Sequence, residues 1–183
     1  MEREKKIVVF CSSSYTILEK YNQAAREVID EVCKRGYAVV SGGAVKGTMG
    51  VVADEVRKCG GVHIGVIPRF MEEYVYPDLD TLIWTDTMSE RKELMREGTV
   101  AAIALPGGIG TLDELIETLV LAKLGRYHGK VIAFNVDGFF DSLKALLDHY
   151  VQTNMLSPAD RDRMLFPETV SELSAILDTL DSE

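Results

Sequence analysis

The hydrophobic positions of this chain fall into two alternating patterns. Short runs of consecutive apolar residues are typical of strands that are buried on both faces. Between them lie longer segments in which apolar residues recur every three or four positions, as on one face of a helix. The runs predict strands over 7–11, 37–40, 62–67, 82–85, 100–104 and 130–135, and the periodic segments predict helices over 18–33, 52–56, 88–96, 112–120, 140–150 and 170–180.

Strands that alternate with helices predict a parallel sheet covered by helices on both faces. With right-handed crossovers, the expected fold class is α/β: a Rossmann-like, doubly wound parallel sheet in three α/β/α layers. No repeat or linker interrupts the pattern, so residues 1–183 are predicted to form a single Rossmann-like nucleotide-binding domain. Residues 153–166 are predicted to form a polar loop, and whether it is a lid is left open. The helix over 140–150 is expected to turn Phe140, Leu143, Leu146, Leu147 and Tyr150 inward.

Charge and cysteine content narrow the possible partners. The net charge of −9 and the pI near 4.9 argue against nucleic acid or an anionic membrane as the main partner. Cys11, Cys33 and Cys59 form no CxxC pair, so we expect reduced thiols rather than a disulfide framework or a zinc site. The apolar run after Met1–Lys6 is too short for a signal peptide or a membrane span. The expected location is cytoplasmic.

The turn 106–111 between a predicted strand and a predicted helix is the strongest functional signal. Its glycines, Gly107, Gly108 and Gly110, allow the backbone to approach a ligand closely. Unpaired N–H groups and the positive end of the helix then point at an anion, most often a phosphate. Thr111 is placed either to cap the helix or to contact a phosphate oxygen.

Carboxylates follow this turn directly, at Asp113, Glu114 and Glu117. Acids at a helix start offset the helix dipole by about 0.3–1 kcal/mol each, which accounts for one or two of them. A carboxylate beside a phosphate site is useful when the ligand also develops positive charge, as a ribosyl group does when its bond to a base breaks. The spacing therefore favours a functional role for Glu114, with dipole compensation as the alternative.

Other segments give weaker signals. The turn 41–50 lacks the Gly-Lys-Ser/Thr of a Walker A loop. Neither glycine turn matches the dinucleotide-binding pattern GxGxxG with a following acid. For the turn 41–50, tight packing of strand against helix explains the glycines as well as ligand binding does. Ser12–Ser14 follows the first strand without the GxSxG elbow of a serine hydrolase, so that class of enzyme is not indicated. Arg91-Lys92 is either solvated surface or a ligand contact. The three histidines share no metal spacing, and His63, in a buried-looking strand, is expected to be structural.

Two motifs carry a resemblance to a known family. Residues 106–114 fit the pattern PGGxGTxxE, and Met88-Ser89-Glu90-Arg91-Lys92 fits MxxRK. In this order and on these elements they resemble the "lonely guy" (LOG) family, cytokinin riboside 5′-monophosphate phosphoribohydrolases often labelled "possible lysine decarboxylase". The resemblance runs from the first strand to the helix around Tyr150.

The resemblance implies an enzyme that hydrolyses the N-glycosidic bond of a purine nucleoside 5′-monophosphate. It implies that Arg91 and Glu114 form the catalytic pair and that the reaction needs neither a metal nor an organic cofactor. It also implies a homodimer acting on a small-molecule nucleotide. The substrate-binding residues that it implies are Ser12, Ser13, Gly42, Gly43, Met88, Lys92, Gly107, Gly108, Gly110, Thr111 and Glu117.

Departures from the family pattern occur where the base would bind. Ala44 follows Gly42-Gly43 where a third glycine is common, Lys46 and Thr48 replace smaller or apolar residues, and Ser12 stands where a glycine is common. These changes bear on the preferred base, AMP or an N6-substituted AMP, which the sequence leaves open.

Two other functions fit the same resemblance. The fold also serves as a carrier of molybdenum cofactor in relatives, which would make the chain a binding protein. Lysine decarboxylation, suggested by the older label, would require a lysine that forms a Schiff base with pyridoxal phosphate. No lysine of the sequence has a setting that identifies it as such.

Overall fold

The computed structural model describes residues 5–180 of the chain. They form seven strands and seven α-helices, which alternate except that a 3-10 turn, Arg69–Tyr74, joins the third strand to the fourth and that the fifth helix is followed directly by the sixth. A second 3-10 turn occupies Val136–Gly138. The strands are β1 Lys6–Phe10, β2 Ala38–Ser41, β3 His63–Pro68, β4 Thr81–Thr85, β5 Thr99–Ala104, β6 Lys130–Ala133 and β7 Met164–Leu165. The helices are α1 Glu19–Lys34, α2 Gly47–Lys58, α3 Met88–Arg96, α4 Ile109–Lys123, α5 Asp141–Gln152, α6 Pro158–Arg161 and α7 Val170–Leu180.

The strands form one parallel sheet in the order β4-β3-β2-β1-β5-β6-β7. From β1 the chain first adds strands on one side, and then crosses to add β5 to β7 on the other. The carboxyl ends of β1 and β5 therefore flank the point where the winding direction changes, where ligands bind in sheets of this kind.

Both faces of the sheet are buried, which explains why the strands are continuously apolar. In β1, Ile7 and Val9 contribute to a core that includes apolar residues of α1, α2 and α7. Val8 and Phe10 contribute to a second core that includes residues of α3, α4 and α5. The predicted three-layer α/β/α fold class is confirmed.

Two predictions about the end of the chain were wrong. Segment 153–166, expected to be a polar loop, contains α6 and the edge strand β7. Only Met164 and Leu165 pair in β7, a run too short to give an apolar pattern in the sequence. Leu146 and Tyr150, expected to point inward from α5, are more than two-fifths exposed.

Several boundaries also moved. Helix α2 begins at Gly47, so the second half of the predicted turn 41–50 is helical, and β6 ends at Ala133 rather than at 135. Residues 1–4 and 181–183 of the predicted single domain, and most of the N-terminal segment judged too short for a signal peptide, lie outside the described residues. Cys11, Cys33 and Cys59 are free thiols. Between residues 5 and 180, no helix combines the length and the apolar character needed to cross a membrane.

Candidate active site

A cavity of about 320 Å³ opens at the carboxyl ends of β1 and β5. Its walls come from the end of β1, the turn after β2, the start of α2, the 3-10 turn before β4, helix α3 and the start of α4. The lining residues are Val9 to Ser14, Gly42, Met49, Met71, Met88, Arg91, Met95, Gly108 to Thr111, Asp113 and Glu114.

A buried ion pair forms one wall of this cavity. Nη1 of Arg91 donates a hydrogen bond of 2.9 Å to Oε1 of Glu114. Nε of Arg91 donates another, of 3.0 Å, to the backbone carbonyl of Val66 in β3. Both charged side chains are about nine-tenths buried, at 9% and 10% exposure. The guanidinium is therefore fixed on two sides and cannot rotate as a surface arginine does.

Burial changes the acidity of the groups around this pair. It raises the pKa of Glu114, an effect that the Arg91 charge partly offsets. Burial also raises the pKa of the Cys11 thiol, and the Glu114 charge adds to that rise. Cys11 therefore stays a neutral thiol in the cavity wall, while Glu114 can exchange a proton at a higher pH than an exposed glutamate.

The start of α4 has the features of an anion site. Gly108 precedes the first helical residue, and no side chain caps the helix there. The earliest backbone N–H groups of a helix have no acceptor within it, and they carry its positive dipole end. The hydroxyl of Thr111, in the first turn, is buried and has no hydrogen-bond partner within the described chain. An anion at this helix start would supply acceptors for both.

The glycines on either side of the cavity are needed for close packing. A Cβ at Gly107 would overlap the Thr111 hydroxyl, and one at Gly42 would overlap the Arg91 guanidinium and lie 2.7 Å from Sδ of Met49. Gly43 has a φ of +67°, a conformation that favours glycine. Gly42 is therefore needed both for close packing and for the site, because the side chain that packs against it is that of Arg91.

The structure brings most of the predicted site residues together. Ser12, Ser13, Gly42, Met88, Arg91, Gly108, Gly110, Thr111 and Glu114 all line the cavity. Gly43, Gly107, Lys92 and Glu117 do not line it. Lys92 pairs with Asp113 and Glu117, each at 2.9 Å, and Glu117 also accepts from Arg96 at 3.1 Å. These four residues tie α3 to α4 beside the cavity.

Sequence reasoning missed several residues of the cavity wall. Met49, Met71 and Met95 line it, as does Cys11. The sequence did not mark Met95 as a site residue, because helical spacing alone cannot separate a core position from a cavity wall. Met71 lies in a segment without regular periodicity, so no sequence signal marked it. None of the described residues that line the cavity comes from 153–166.

Comparison with known proteins places the chain in a family. The family described as "Possible lysine decarboxylase" matches residues 49–177. The chain belongs to this family. It is 38% identical over 168 residues to the cytokinin riboside 5′-monophosphate phosphoribohydrolase of Mycobacterium tuberculosis, covering 91% of this chain and 89% of that protein. It is 35% identical over 173 residues to an Arabidopsis thaliana protein of the same name, covering 93% and 76%. These relatives confirm the resemblance that the two motifs indicate.

Solved structures extend the likeness to the fold alone. The molybdenum cofactor carrier protein of Chlamydomonas reinhardtii superposes with a TM-score of 0.75 at 19% identity, covering 99% of this chain and 100% of that one. A molybdenum cofactor binding protein of Rippkaea orientalis gives a TM-score of 0.73 at 19% identity, covering 98% and 99%.

Proposed function

We propose that the protein hydrolyses the N-glycosidic bond of purine nucleoside 5′-monophosphates, releasing the free base and ribose 5-phosphate. The observation that carries the proposal is the buried Arg91–Glu114 pair, which opens on the same cavity as the start of α4. One end of the cavity suits a phosphate, and the other offers a carboxylate and a guanidinium to a reacting sugar. The relatives at 35–38% identity support the same activity by their names.

In this proposal the 5′-phosphate binds at the helix start. The backbone N–H groups after Gly108 and the unpaired hydroxyl of Thr111 donate to its oxygens. This binding energy orients the ribose, so that the anomeric carbon faces Glu114. Gly107 stays without a side chain because Thr111 occupies that space.

Bond cleavage then proceeds through a sugar that resembles an oxocarbenium ion. The bond between the anomeric carbon and the base nitrogen breaks, and its electron pair leaves with the base. The carboxylate of Glu114 stabilises the cation and takes a proton from the attacking water, whose oxygen binds the anomeric carbon. Arg91 holds the nucleotide in place and stabilises the negative charge that develops on the departing base. The base then takes up the proton that Glu114 removed from the water, which restores the carboxylate.

The base would lie against thioether side chains. Met49, Met71 and Met88 contribute flexible, polarisable groups to the cavity wall. Such a wall accommodates both a plain adenine and an adenine with an apolar N6 substituent. The substrate class is therefore a purine nucleoside 5′-monophosphate, and the net charge of −9 supports this small molecule over a nucleic-acid polymer.

Two alternatives are less well supported. A molybdenum cofactor carrier shares the fold, but binding alone does not require a buried arginine–glutamate pair in the cavity wall. Lysine decarboxylation requires a lysine that forms a Schiff base with the aldehyde of pyridoxal phosphate. The described residues that line the cavity include no lysine, and Lys92 is paired with carboxylates beside it. An absorbance scan for a pyridoxal band tests the second alternative directly.

We also propose a homodimer and a cytoplasmic location. Apolar side chains are exposed along α4 and α5, among them Leu112, Val120, Leu146 and Tyr150. Together with their neighbours they line a groove of about 310 Å³, whose surface suits a second copy of the same helices. Helix α4 also begins at the cavity, so such an interface would lie near the site.

The proposed cytoplasmic location is supported by the three free thiols, which are typical of a reducing compartment.

Product analysis tests the proposed function. Purified protein would be incubated with AMP and, separately, with N6-isopentenyl-AMP, alongside Glu114→Gln as the control. We expect release of base and ribose 5-phosphate by the wild type, lost in the control, and the ratio of rates identifies the preferred base. No release from either nucleotide by folded protein, together with tight binding of molybdenum cofactor, would favour the carrier function.

A further inference from the structure

A buried hydrogen-bond pair includes the residue that precedes Gly42 of the cavity wall. Oγ of Ser41, the last residue of β2, is 2.7 Å from Nε2 of His63, the first residue of β3. Ser41 is fully buried and His63 almost fully. Neither lines the cavity, and the mechanism above uses neither of them.

The Ser41 hydroxyl connects this pair to the turn after β2. Its oxygen accepts a hydrogen bond of 3.2 Å from the backbone N–H of Gly43. Its proton is then available to Nε2 of His63, which accepts it when the neutral ring carries its own proton on Nδ1. Burial lowers the pKa of His63 to about 4, so the ring is neutral near pH 7. The His63 backbone N–H donates to the Asp80 carboxylate at 2.7 Å, which fixes this end of β3.

The turn held in this way is tightly packed. Gly43 adopts a φ of +67°, and a Cβ at this position would lie only 2.9 Å from Cα of Gly65. Its carbonyl accepts a hydrogen bond of 2.9 Å from the Tyr76 backbone. Among the described residues, the Ser41 hydroxyl forms the only side-chain hydrogen bond to the backbone of Gly42 or Gly43.

The same turn meets the buried arginine. Gly42 lies so close to the Arg91 guanidinium that no Cβ would fit between them. The guanidinium is thus bounded by the Val66 carbonyl, the Glu114 carboxylate and the Gly42 backbone. Val66 and Glu114 hold the guanidinium by hydrogen bonds. Gly42 limits it only by contact, so this limit depends on the position of the turn.

We propose that Ser41 and His63 are positioning residues, whose buried hydrogen bond holds the Gly42–Gly43 turn against Arg91 and so fixes the guanidinium in its reactive place. For its effect on catalysis, this inference rests on the proposed nucleotide hydrolysis. Arg91 and Glu114 contact the substrate, and Ser41 and His63 act through the turn.

Kinetics of matched variants provide the first test. Ser41→Ala removes the hydroxyl, and Tyr127→Phe is its control, because Tyr127 shares a buried hydrogen bond of 3.0 Å with Thr99 and neither of these two residues lines the cavity. We expect kcat to fall by about tenfold to a hundredfold in Ser41→Ala, the size of a small misplacement of a catalytic group, with KM little changed. Tyr127→Phe should keep the wild-type kcat at a similar loss of thermal stability. Equal kcat values in the two variants would overturn the proposal.

Conservative replacement separates positioning from packing. His63→Gln places an amide near the position of Nε2 and should retain most of the turnover, whereas His63→Leu should lose it as Ser41→Ala does. If both His63 variants were equally active, the hydrogen bond would have no positioning role. Should Ser41→Ala fail to fold, Ser41→Cys, which is somewhat larger and a weaker hydrogen-bonding group, carries the same comparison.

A measurement without substrate keeps this test independent of the proposed function. The Nε–H signal of Arg91 in a nitrogen–proton NMR spectrum is identified by its loss in Arg91→Lys. We expect it to shift and to exchange faster with solvent in Ser41→Ala, and to stay as in the wild type in Tyr127→Phe. An unchanged signal in Ser41→Ala would overturn the positioning role. A wild type without turnover but with the expected NMR result would overturn the proposed hydrolysis alone.

Discussion

Nη1 of Arg91 and Oε1 of Glu114 lie 2.9 Å apart at the wall of the cavity, 23 residues apart in the chain. Each is the charge partner of the other in a place that water barely reaches. Removing one partner of such a pair leaves an uncompensated buried charge, which is far more costly than the net value of the pair. The cavity wall therefore contains two buried charged groups, each of which compensates the charge of the other.

The first prediction concerns this pair. Arg91→Ala and Glu114→Gln should each lower kcat by at least about a hundredfold, since each removes a group that acts on the reacting bond. Steady-state assays of base release measure this. Asp148→Asn, which removes a partner of Arg161 in another ion pair, is the control and should keep full activity. Retained turnover in both site variants would refute their catalytic assignment.

The second prediction concerns pH. Because burial raises the pKa of Glu114, the acid limb of kcat/KM should have its midpoint above the ordinary value of 4.5, as the reactive carboxylate forms. The contribution of Glu114 to the free energy of unfolding should change with pH in the opposite direction and fall as the pH rises. A carboxyl with a raised pKa in the folded state stabilises the fold fully below its unfolded pKa, and this contribution is lost as pH rises through the folded value.

Denaturant unfolding of the wild type and Glu114→Gln between pH 4 and pH 8 measures the stability effect, because the neutral glutamine does not titrate. The wild type should lose stability relative to the variant as the pH rises. A constant difference, or an acid limb at or below pH 4.5, would mean that the pKa of this carboxyl is not raised.

The third prediction concerns the unpaired hydroxyl of Thr111. Thr111→Val keeps the shape and removes a donor to the phosphate, so KM for a nucleoside monophosphate should rise by about tenfold, the value of one hydrogen bond to a charged group. Stability should not fall, because the hydroxyl has no partner within the described chain. Thr85→Val is the matched control, since Thr85 carries another buried, unpaired hydroxyl but does not line the cavity. Equal KM values for the two variants would argue against phosphate binding at Thr111.

The fourth prediction concerns assembly. If the groove between α4 and α5 binds a second copy, charged residues at Val120 and Leu146 should prevent dimer formation, because they would be buried without partners. Light scattering after size-exclusion chromatography measures the mass of the wild type and of Val120→Lys/Leu146→Lys. Leu124→Lys alters another exposed apolar residue, which does not line the groove, and this variant should remain dimeric. A monomeric wild type would contradict the proposed dimer.

The sequence by itself determined the local elements and the kind of site. Apolar periodicity reflects burial within one element, so six of the seven strands and six of the seven helices were located from it. The strand–glycine turn–helix at 100–120 predicted an anion site because backbone geometry there depends on adjacent residues. Two sequence motifs were enough to indicate the family.

Only the tertiary structure decided which of these residues meet. The strand order depends on long-range pairing, and hydrophobic burial is too unspecific to encode it in a local pattern. For this reason the sequence could not show that Arg91 contacts Glu114, that Lys92 and Glu117 pair beside the cavity, or that Met71 lines it. It also could not show that Leu146 and Tyr150 stay exposed, because an apolar helix face has the same pattern whether its partner is the core or another chain.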